Sequence, residues 1–297
     1  MMASHMKTLD HPYQNLSGGQ WLRGNLHAHT TRSDGTRDMP AVIADYARRG
    51  YDFLMISDHD IYTGPEDYAG VDAHGLVLIS GNEVTRGGPH LLHVDADRLI
   101  EPQRERQAVM DAVAASRGFV IVNHPNWQEG FDHCSMELLR AWRGYAGVEI
   151  YNGVIGRLKG SPYATAKWET LLAEGRRVWG FANDDSHLPA DVELGWNTVY
   201  TEERSVEGII AALRAGRFYA STGVIITDIH VADGRIRIET SNAERIGALS
   251  RWAQRFAVAD ANTIEVEVPD GTPYVRFECW GRGEQFAWTQ PFWIVDG

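Results

Sequence analysis

The sequence has only two cysteines, Cys134 and Cys279, among its 297 residues. Two scattered cysteines cannot build a disulfide framework or a cysteine-based zinc site, and they fit a reducing compartment. No apolar run approaches the roughly 18 residues that a membrane span needs. The N-terminus also lacks a hydrophobic signal segment. We therefore expect a cytoplasmic protein with no membrane partner.

Positive charge is also scarce, because 28 lysines and arginines stand against 40 aspartates and glutamates, for a formal net charge of −12. A protein that binds nucleic acid non-specifically needs a basic face to displace counterions. We therefore expect no stable nucleic-acid partner, and the sequence leaves the oligomeric state open. Residues 1–15 are interpreted as a tag and N-terminal tail, since MASHM is typical of expression vectors.

Five β-like apolar segments each end in residues of the kind that bind metals. These endings contain His27 and His29, Asp58 to Asp60, Glu83, His124, and Asp185 with His187. Residues two apart on a strand face the same side, so the first two histidines can reach one cation. Imidazoles and carboxylates without thiolates suit Zn, Mn, Fe or Co. The set exceeds the roughly four to six bonds of one ion, which predicts at least two ions.

Strands and helices alternate from about residue 21 to about residue 219. The predicted strands are Trp21–His29, Tyr51–Ser57, Leu76–Glu83, Leu91–Asp95, Phe119–Asn123, Gly147–Tyr151, Arg177–Asn183 and Thr198–Thr201. The predicted helices are Pro40–Arg49, Arg104–Arg117, Met136–Trp142, Ala164–Glu174 and Ser205–Ala215. This alternation predicts an α/β fold of parallel strands with crossover helices. The segment Val84–Pro89 is too short for a crossover helix, so one unit must depart from the repeat.

The composition changes after Gly223, where β-branched and aromatic residues become dense. Turn signals at Asp233-Gly234 and Asp270-Gly271 predict two hairpins. We therefore place a metal-binding α/β domain at residues 16–224 and a β-rich domain at residues 225–297. Trp280, Trp288 and Trp293 are expected to build the core of the second domain.

The motifs HAHTTRSDG, ISDHD, GNEVT, NHPN and NDDSH, in this order, resemble those of the PHP (polymerase and histidinol phosphatase) superfamily. The resemblance covers about residues 20–225. It implies a distorted seven-stranded (β/α) barrel with a trinuclear metal centre. The segments RFYASTG and AWTQPFW resemble the junction and tail of stand-alone members that carry a small C-terminal all-β domain. We expect two or three divalent ions, drawn from Mn, Fe and Zn.

The resemblance also implies a ligand set for each ion. The first ion would be held by His27, His29, Glu83 and Asp185. The second would be held by Glu83, His93 and His124, and the third by Asp34, His59 and His187. The residues expected to be catalytic are Glu83, His93, Asp185 and His187. His90 competes with His93 for its ligand position, and we favour His93 because it lies in the apolar run LLHV.

Other polar residues near these motifs are expected to support the ligands or to contact a substrate. The predicted substrate contacts are Arg157, Arg86 and Asn152, since arginine matches phosphate geometry, although a solvated loop charge is the alternative for both arginines. Glu149 is predicted to contact substrate, support a ligand or form a salt bridge. Asp58 is expected to orient an imidazole and Asp184 to be structural. The histidines interpreted as surface or packing residues are His11, His74, His133 and His230.

These residues together predict a metal-dependent phosphoesterase. The expected partner is a small phosphorylated metabolite or nucleotide, hydrolysed by attack of a metal-bridging hydroxide. Two alternatives stay open: an amidohydrolase-like non-phosphoryl hydrolase on the same metal site, and a carbohydrate-binding or protein-binding module with structural metals.

Overall fold

The computed structural model describes residues 8–14 and 16–295. In this part of the chain the α-helices are α1 Met39–Arg48, α2 Pro65–Tyr68, α3 Arg106–Ala114, α4 Met136–Ala141, α5 Thr165–Ala173 and α6 Val206–Arg214. The first strands are β1 Thr8–Asp10, β2 Gln20–Asn25, β3 Phe53–Met55, β4 Val77–Ile79, β5 Gly81–Val84, β6 Leu91–Val94, β7 Phe119–Val122, β8 Tyr145–Asn152, β9 Trp179–Asn183, β10 Trp196–Thr201 and β11 Phe218–Ser221. The later strands are β12 Ile226–Ala232, β13 Arg235–Thr240, β14 Arg245–Ser250, β15 Gln254–Ala259, β16 Thr263–Glu267, β17 Tyr274–Trp280, β18 Phe286–Thr289 and β19 Phe292–Val295.

The five predicted helices are all present, each close to its expected position. In α1, the Asp38 carboxylate accepts the backbone N–H of Ala41, which caps the start of the helix. The chain leaves this helix through Gly50, whose φ of +76° lies in the left-handed region that glycine tolerates. None of the described helices is long and apolar enough to span a bilayer.

One sheet contains five strands in the order β5-β6-β7-β8-β9. Strand β6 runs antiparallel to both β5 and β7, whereas β7, β8 and β9 are mutually parallel. The expected departure from the repeat is therefore confirmed, because a six-residue connection between β5 and β6 can only reverse the chain. The predicted strand Leu76–Glu83 is in fact two strands, since β4 pairs with β3 and β5 pairs with β6.

Two isolated parallel bridges join this sheet to the parallel strands β2 and β3. Ala28 bridges to Ser186 beyond β9, and His59 bridges to Glu83 in β5. Apolar side chains from both sheets, including Phe53, Leu92 and Phe181, pack in a single buried cluster. Strand β6 is therefore the antiparallel strand of this sheet, and single bridges rather than continuous ladders join the sheet to β2 and β3.

The C-terminal strands continue a sheet of the α/β region. The path β2-β10-β11-β18-β17-β19-β1 belongs to one eleven-stranded sheet. Residues 8–10, predicted to be part of the tail, pair with residues 293–295 at its edge. Tyr13 is buried, and its hydroxyl donates to the carbonyl of Phe218 at 2.7 Å. The rest of the predicted tail, residues 1–7 and 15, lies outside the described residues.

Side chains from the two regions share a buried core. Trp288 and Trp293 belong to the same apolar cluster as Trp168 of α5, so they are interface residues rather than the core of a separate domain. Beside them, the Glu169 carboxylate accepts Arg276 Nε–H at 2.8 Å and the Tyr274 hydroxyl. This buried polar network fixes α5 against β17.

Candidate metal centre

Eight of the nine predicted ligands converge at one end of the α/β region. They are His27 and His29 beyond β2, Asp34, His59 beyond β3, Glu83 in β5, His124 beyond β7, and Asp185 and His187 beyond β9. The carboxyl ends of parallel strands lie at one edge, so residues far apart in sequence meet there. The order of motifs along the chain therefore becomes a cluster in space.

The carboxylate of Glu83 is completely buried at the centre of this cluster. Its oxygens lie 2.7 Å from His59 Nδ1, 3.2 Å from His90 Nδ1, 3.3 Å from both His27 Nε2 and His124 Nε2, and 3.6 Å from His29 Nε2. Asn123 also donates its amide to Glu83 at 2.6 Å. A carboxylate ringed by imidazoles on both oxygens has the arrangement needed to contact more than one cation.

Two further carboxylates extend the cluster on either side. Asp185 Oδ1 lies 3.0 Å from His29 Nε2 and 3.2 Å from His27 Nε2. Its φ of +55° is a left-handed conformation that aspartate adopts only at some cost. Asp34 is half-exposed at the opening, with its oxygens 3.4 Å from His59 Nε2 and 3.3 Å from His187 Nε2. The donors therefore run from the buried core to the surface.

Several buried atoms of this cluster have no partner with hydrogen-bond geometry among the described residues. They include His27 Nε2, His29 Nε2, His59 Nδ1, Glu83 Oε2 and Asp185 Oδ1. Buried polar atoms without partners are costly and uncommon in proteins. A set of imidazole nitrogens and carboxylate oxygens facing one another fits divalent ions of the Zn, Mn and Fe type.

Glu149 holds two of the ligands from behind. Its Oε1 accepts His27 Nδ1–H at 2.8 Å, and its Oε2 accepts the backbone N–H of His124 at 2.8 Å. The amides of Asn183 and Asn152 donate to the same two oxygens. The bond to Nδ1 fixes the tautomer of His27 and leaves Nε2 free to face the cluster. Of the roles predicted for Glu149, the structure therefore supports that of a ligand support.

Asp58 and Asp184 are buried aspartates that shape the surrounding loops. Asp58 accepts the backbone N–H and the hydroxyl of Thr30, and the hydroxyl of Ser33, all at 2.7 Å. It thus orders the turn after His29, and it does not contact that imidazole itself. Asp184 accepts the backbone N–H groups of residues 193–195, as expected of a structural residue.

Electrostatic coupling within the cluster shifts several pKa values. Burial alone would lower the pKa of His59, but the nearby carboxylates of Asp34 and Glu83 outweigh burial and raise that pKa to about 10. Burial would raise the pKa of Glu83, but the neighbouring His27 and His90 hold it well below its usual range. The carboxylates therefore need positive charge beside them. Divalent cations, if bound, would supply that charge while the imidazoles stayed neutral.

The prediction that His93 is a ligand and a catalytic residue is wrong. His93 lies on the same face of β6 as Leu91, which packs in the apolar cluster that contains Trp168. Leu92 and Val94 lie on the other face and pack in the apolar cluster that contains Phe53 and Phe181. Its Nε2 lies 2.3 Å from the position that a Cβ on Gly118 would occupy, at the far end of the strand. Burial lowers the pKa of His93 to about 4, so it is a neutral packing residue.

His90 occupies the position that was expected of His93. Because β6 is antiparallel, its first end reaches the edge where the neighbouring strands finish. His133, interpreted from sequence as a surface or packing residue, also joins the cluster, with its ring 4.7 Å from His90 and 4.9 Å from His124. Its Nε2 accepts the backbone N–H of His90 at 3.0 Å, which makes that nitrogen unavailable to a metal.

The three predicted substrate contacts have other partners. Asn152 is buried and donates to Glu149 at 2.8 Å and to Asp185 at 3.2 Å, so it positions a ligand. Arg86 is exposed and lies 3.7 Å from Glu101. Arg157 does line the cavity beside the cluster, but its guanidinium forms two hydrogen bonds with Asp191, both 2.8 Å.

A cavity of about 360 Å³ opens directly onto the cluster. Its polar side consists of Asp34, His59, His90, His124, Asp185 and His187. The remaining lining consists of Arg157 and of apolar residues from the loops after β7, β8 and β9. A cavity of this size accommodates a small molecule.

Over most of its length the chain has the fold of a two-domain protein from Bacteroides vulgatus that contains a predicted PHP-like metal-dependent phosphoesterase. The two share 18% identity at a TM-score of 0.58, over 93% of this chain and 94% of that one. A protein from Bifidobacterium adolescentis, inferred to be a metal-dependent phosphoesterase, aligns with 17% identity over 55% of this chain and 87% of that one. Its TM-score of 0.45 does not establish a common fold. No family sequence model and no curated protein match the chain. The likeness to the Bacteroides vulgatus protein is one of fold alone, since only 18% of the aligned residues are identical.

Proposed function

We propose that the cluster binds two or three divalent ions, drawn from Mn, Fe and Zn, and that the protein is a PHP-type phosphoesterase. The observation that carries this proposal is the buried carboxylate of Glu83. It is surrounded by five imidazoles and lies next to imidazole and carboxylate atoms that have no hydrogen-bond partner. The shared fold with a protein said to contain a predicted PHP-like metal-dependent phosphoesterase gives further support. The seven-stranded barrel with a small all-β domain is the architecture that we propose for this function.

The proposed ligands divide into three sets, two of which share Glu83. They are His27, His29, Glu83 and Asp185 for one ion, Glu83, His90 and His124 for another, and Asp34, His59 and His187 for a third. Divalent ions in such a site lower the pKa of a bound water and neutralise phosphoryl oxygens. Glu149 and Asn152 keep the ligand atoms aimed at the cluster, and the protonated Nδ1 of His27 directs its Nε2 inward.

In the proposed reaction, a water oxygen forms a bond to phosphorus while the bond from phosphorus to the leaving oxygen breaks. One proton from the water goes to the leaving oxygen, so the products are an alcohol and phosphate. The part of the cavity lining that the structure describes contains no serine, threonine or cysteine. Both cysteines are buried elsewhere. We therefore propose a single displacement with inversion at phosphorus and no covalent intermediate.

Turnover of p-nitrophenyl phosphate and bis(p-nitrophenyl) phosphate by Mn²⁺-loaded protein tests this function. We expect hydrolysis that is abolished by a chelator and in Glu83→Gln. Hydrolysis of p-nitrophenyl acetate without either phosphoester would instead indicate a non-phosphoryl hydrolase. No turnover of any ester by fully metal-loaded protein would refute the proposed enzyme.

A further inference from the structure

Part of the lining of the cavity beside the metal cluster is apolar, and we call this part the apolar wall. It consists of Trp127, Val154, Ile155, Leu158 and Leu188. Val154 and Ile155 are buried in the turn after β8, whereas Leu158 is 43% exposed at the cavity mouth. Three separate loops thus contribute hydrocarbon surface to one cavity.

The same wall extends beyond the cavity that contains the cluster. A second cavity of about 530 Å³ shares Trp127 and Leu158 with the first. Leu158 is therefore both an exposed large apolar side chain and the boundary between the two spaces. Exposed apolar side chains that line a concave surface are typical of binding sites.

The cations along this wall already have carboxylate partners. Arg157 forms its two 2.8 Å bonds with Asp191. Asp191 is itself held by the backbone N–H groups of His187 and Leu188. Lys159, in the second cavity, lies 2.5 Å from Glu129. A second anionic group of a substrate would have to displace these pairs to find a cation in this wall.

We propose that the part of the substrate that does not react is an apolar group, such as an alkyl chain or an aromatic ring, which packs against Trp127 and Leu158. A substrate with a second phosphate is disfavoured, because the wall offers it no unpaired cation. This inference rests on the proposed function for the reacting phosphoryl group. It narrows the substrate from any small phosphoester to one with a hydrophobic leaving group.

Calorimetric binding of n-alkylphosphonates to the Mn²⁺-loaded protein tests the proposal without turnover. From ethylphosphonate to hexylphosphonate, we expect the dissociation constant to fall by up to about fourfold for each methylene that is fully buried. Butane-1,4-diyl bisphosphonate should bind about tenfold more weakly than butylphosphonate, because its distal charge would lose water without gaining a partner.

Two substitutions of Leu158 locate the effect. In Leu158→Ala, the gain in affinity from ethylphosphonate to hexylphosphonate should be about three- to tenfold smaller than in the wild-type protein, since less apolar surface is covered. Leu99→Ala is the matched control, because Leu99 is 38% exposed and lies outside both cavity linings. Leu158→Lys should improve binding of the bisphosphonate relative to butylphosphonate.

The proposal is overturned if affinity does not rise with chain length, if no phosphonate binds, or if the wild-type protein prefers the bisphosphonate. Turnover of ethyl to hexyl phosphates, measured separately, distinguishes this failure from that of the proposed function. If the phosphonates bind in the expected order but no ester is hydrolysed, the apolar preference is supported and the proposed phosphoesterase activity is wrong. Hydrolysis at a rate independent of chain length would support the phosphoesterase and overturn the apolar preference.

Discussion

The substitution Glu149→Gln tests whether the support behind the cluster matters for metal binding. Each Glu149 oxygen accepts two donors, His27 Nδ1–H and the Asn183 amide on one, the His124 N–H and the Asn152 amide on the other. Glutamine must place an NH₂ group at one of these positions. In either orientation, two buried donors would face another donor.

The magnitude follows from this geometry. An unsatisfied buried donor costs about 1–3 kcal/mol, so two of them cost about 2–6 kcal/mol in the folded protein. Loss of a group that orients a metal ligand typically weakens metal binding by about 10- to 100-fold. We therefore expect both a lower free energy of unfolding without metal and weaker binding of at least one ion.

Competition with a fluorescent chelator measures the metal affinity, and denaturant unfolding of metal-free protein measures the stability. Glu174→Gln is the matched control, because Glu174 forms an ion pair with Arg140 on the surface. Exposed pairs of this kind contribute about 0–1 kcal/mol. If Glu149→Gln binds every ion as tightly as the wild-type protein, the support assigned to Glu149 is wrong.

Three further predictions test other parts of the structure. His90→Ala should lower the number of bound metal ions, whereas His93→Ala should leave it unchanged, and equal metal loss in both variants would contradict the assignment of His90. Glu169→Ala should lower the free energy of unfolding by about 3 kcal/mol, because it breaks a buried ion pair. This is the low end of the range for such pairs, since Arg276 keeps Glu278 as a partner. An unchanged denaturant midpoint would contradict this prediction. Burial raises the pKa of Cys134 to about 12 and also raises that of Cys279, so neither thiolate forms appreciably at pH 8. Ellman's reagent should therefore detect both thiols only after unfolding, and rapid reaction of the native protein would show that a thiol is accessible.

The alternation of strands and helices was sufficient to predict where most of the proposed ligands lie. His27, His29, Asp185 and His187 follow strands whose ends meet at one edge, so their position depends only on local pattern and on the geometry of parallel strands. The same reasoning failed for His93, because β6 is antiparallel and presents its first end to the site. The short connection before β6 was visible in the sequence. Because so short a connection requires an antiparallel strand, it would have favoured His90 over His93 as the ligand.

Other features depend on contacts that no local pattern encodes. His133 reaches the cluster because its N–H donates to the carbonyl of Trp127, which folds the loop after β7 back on itself. Residues 8–10 form a strand only because residues 293–295 supply the neighbouring edge. The sequence predicted that Trp288 and Trp293 form the core of a β-rich domain, but their packing partners include helix α5. Long-range pairing decided each of these outcomes.

The number of divalent ions bound per chain tests the central claim most directly. The protein is purified without chelator, saturated with Mn²⁺ and freed of excess metal. Elemental analysis by mass spectrometry should then find two or three equivalents of Mn²⁺ per chain. Glu83→Gln should contain fewer, because its carboxylate lies within 3.6 Å of five imidazoles from separate parts of the chain. One equivalent or fewer in the saturated wild-type protein would contradict a multinuclear centre.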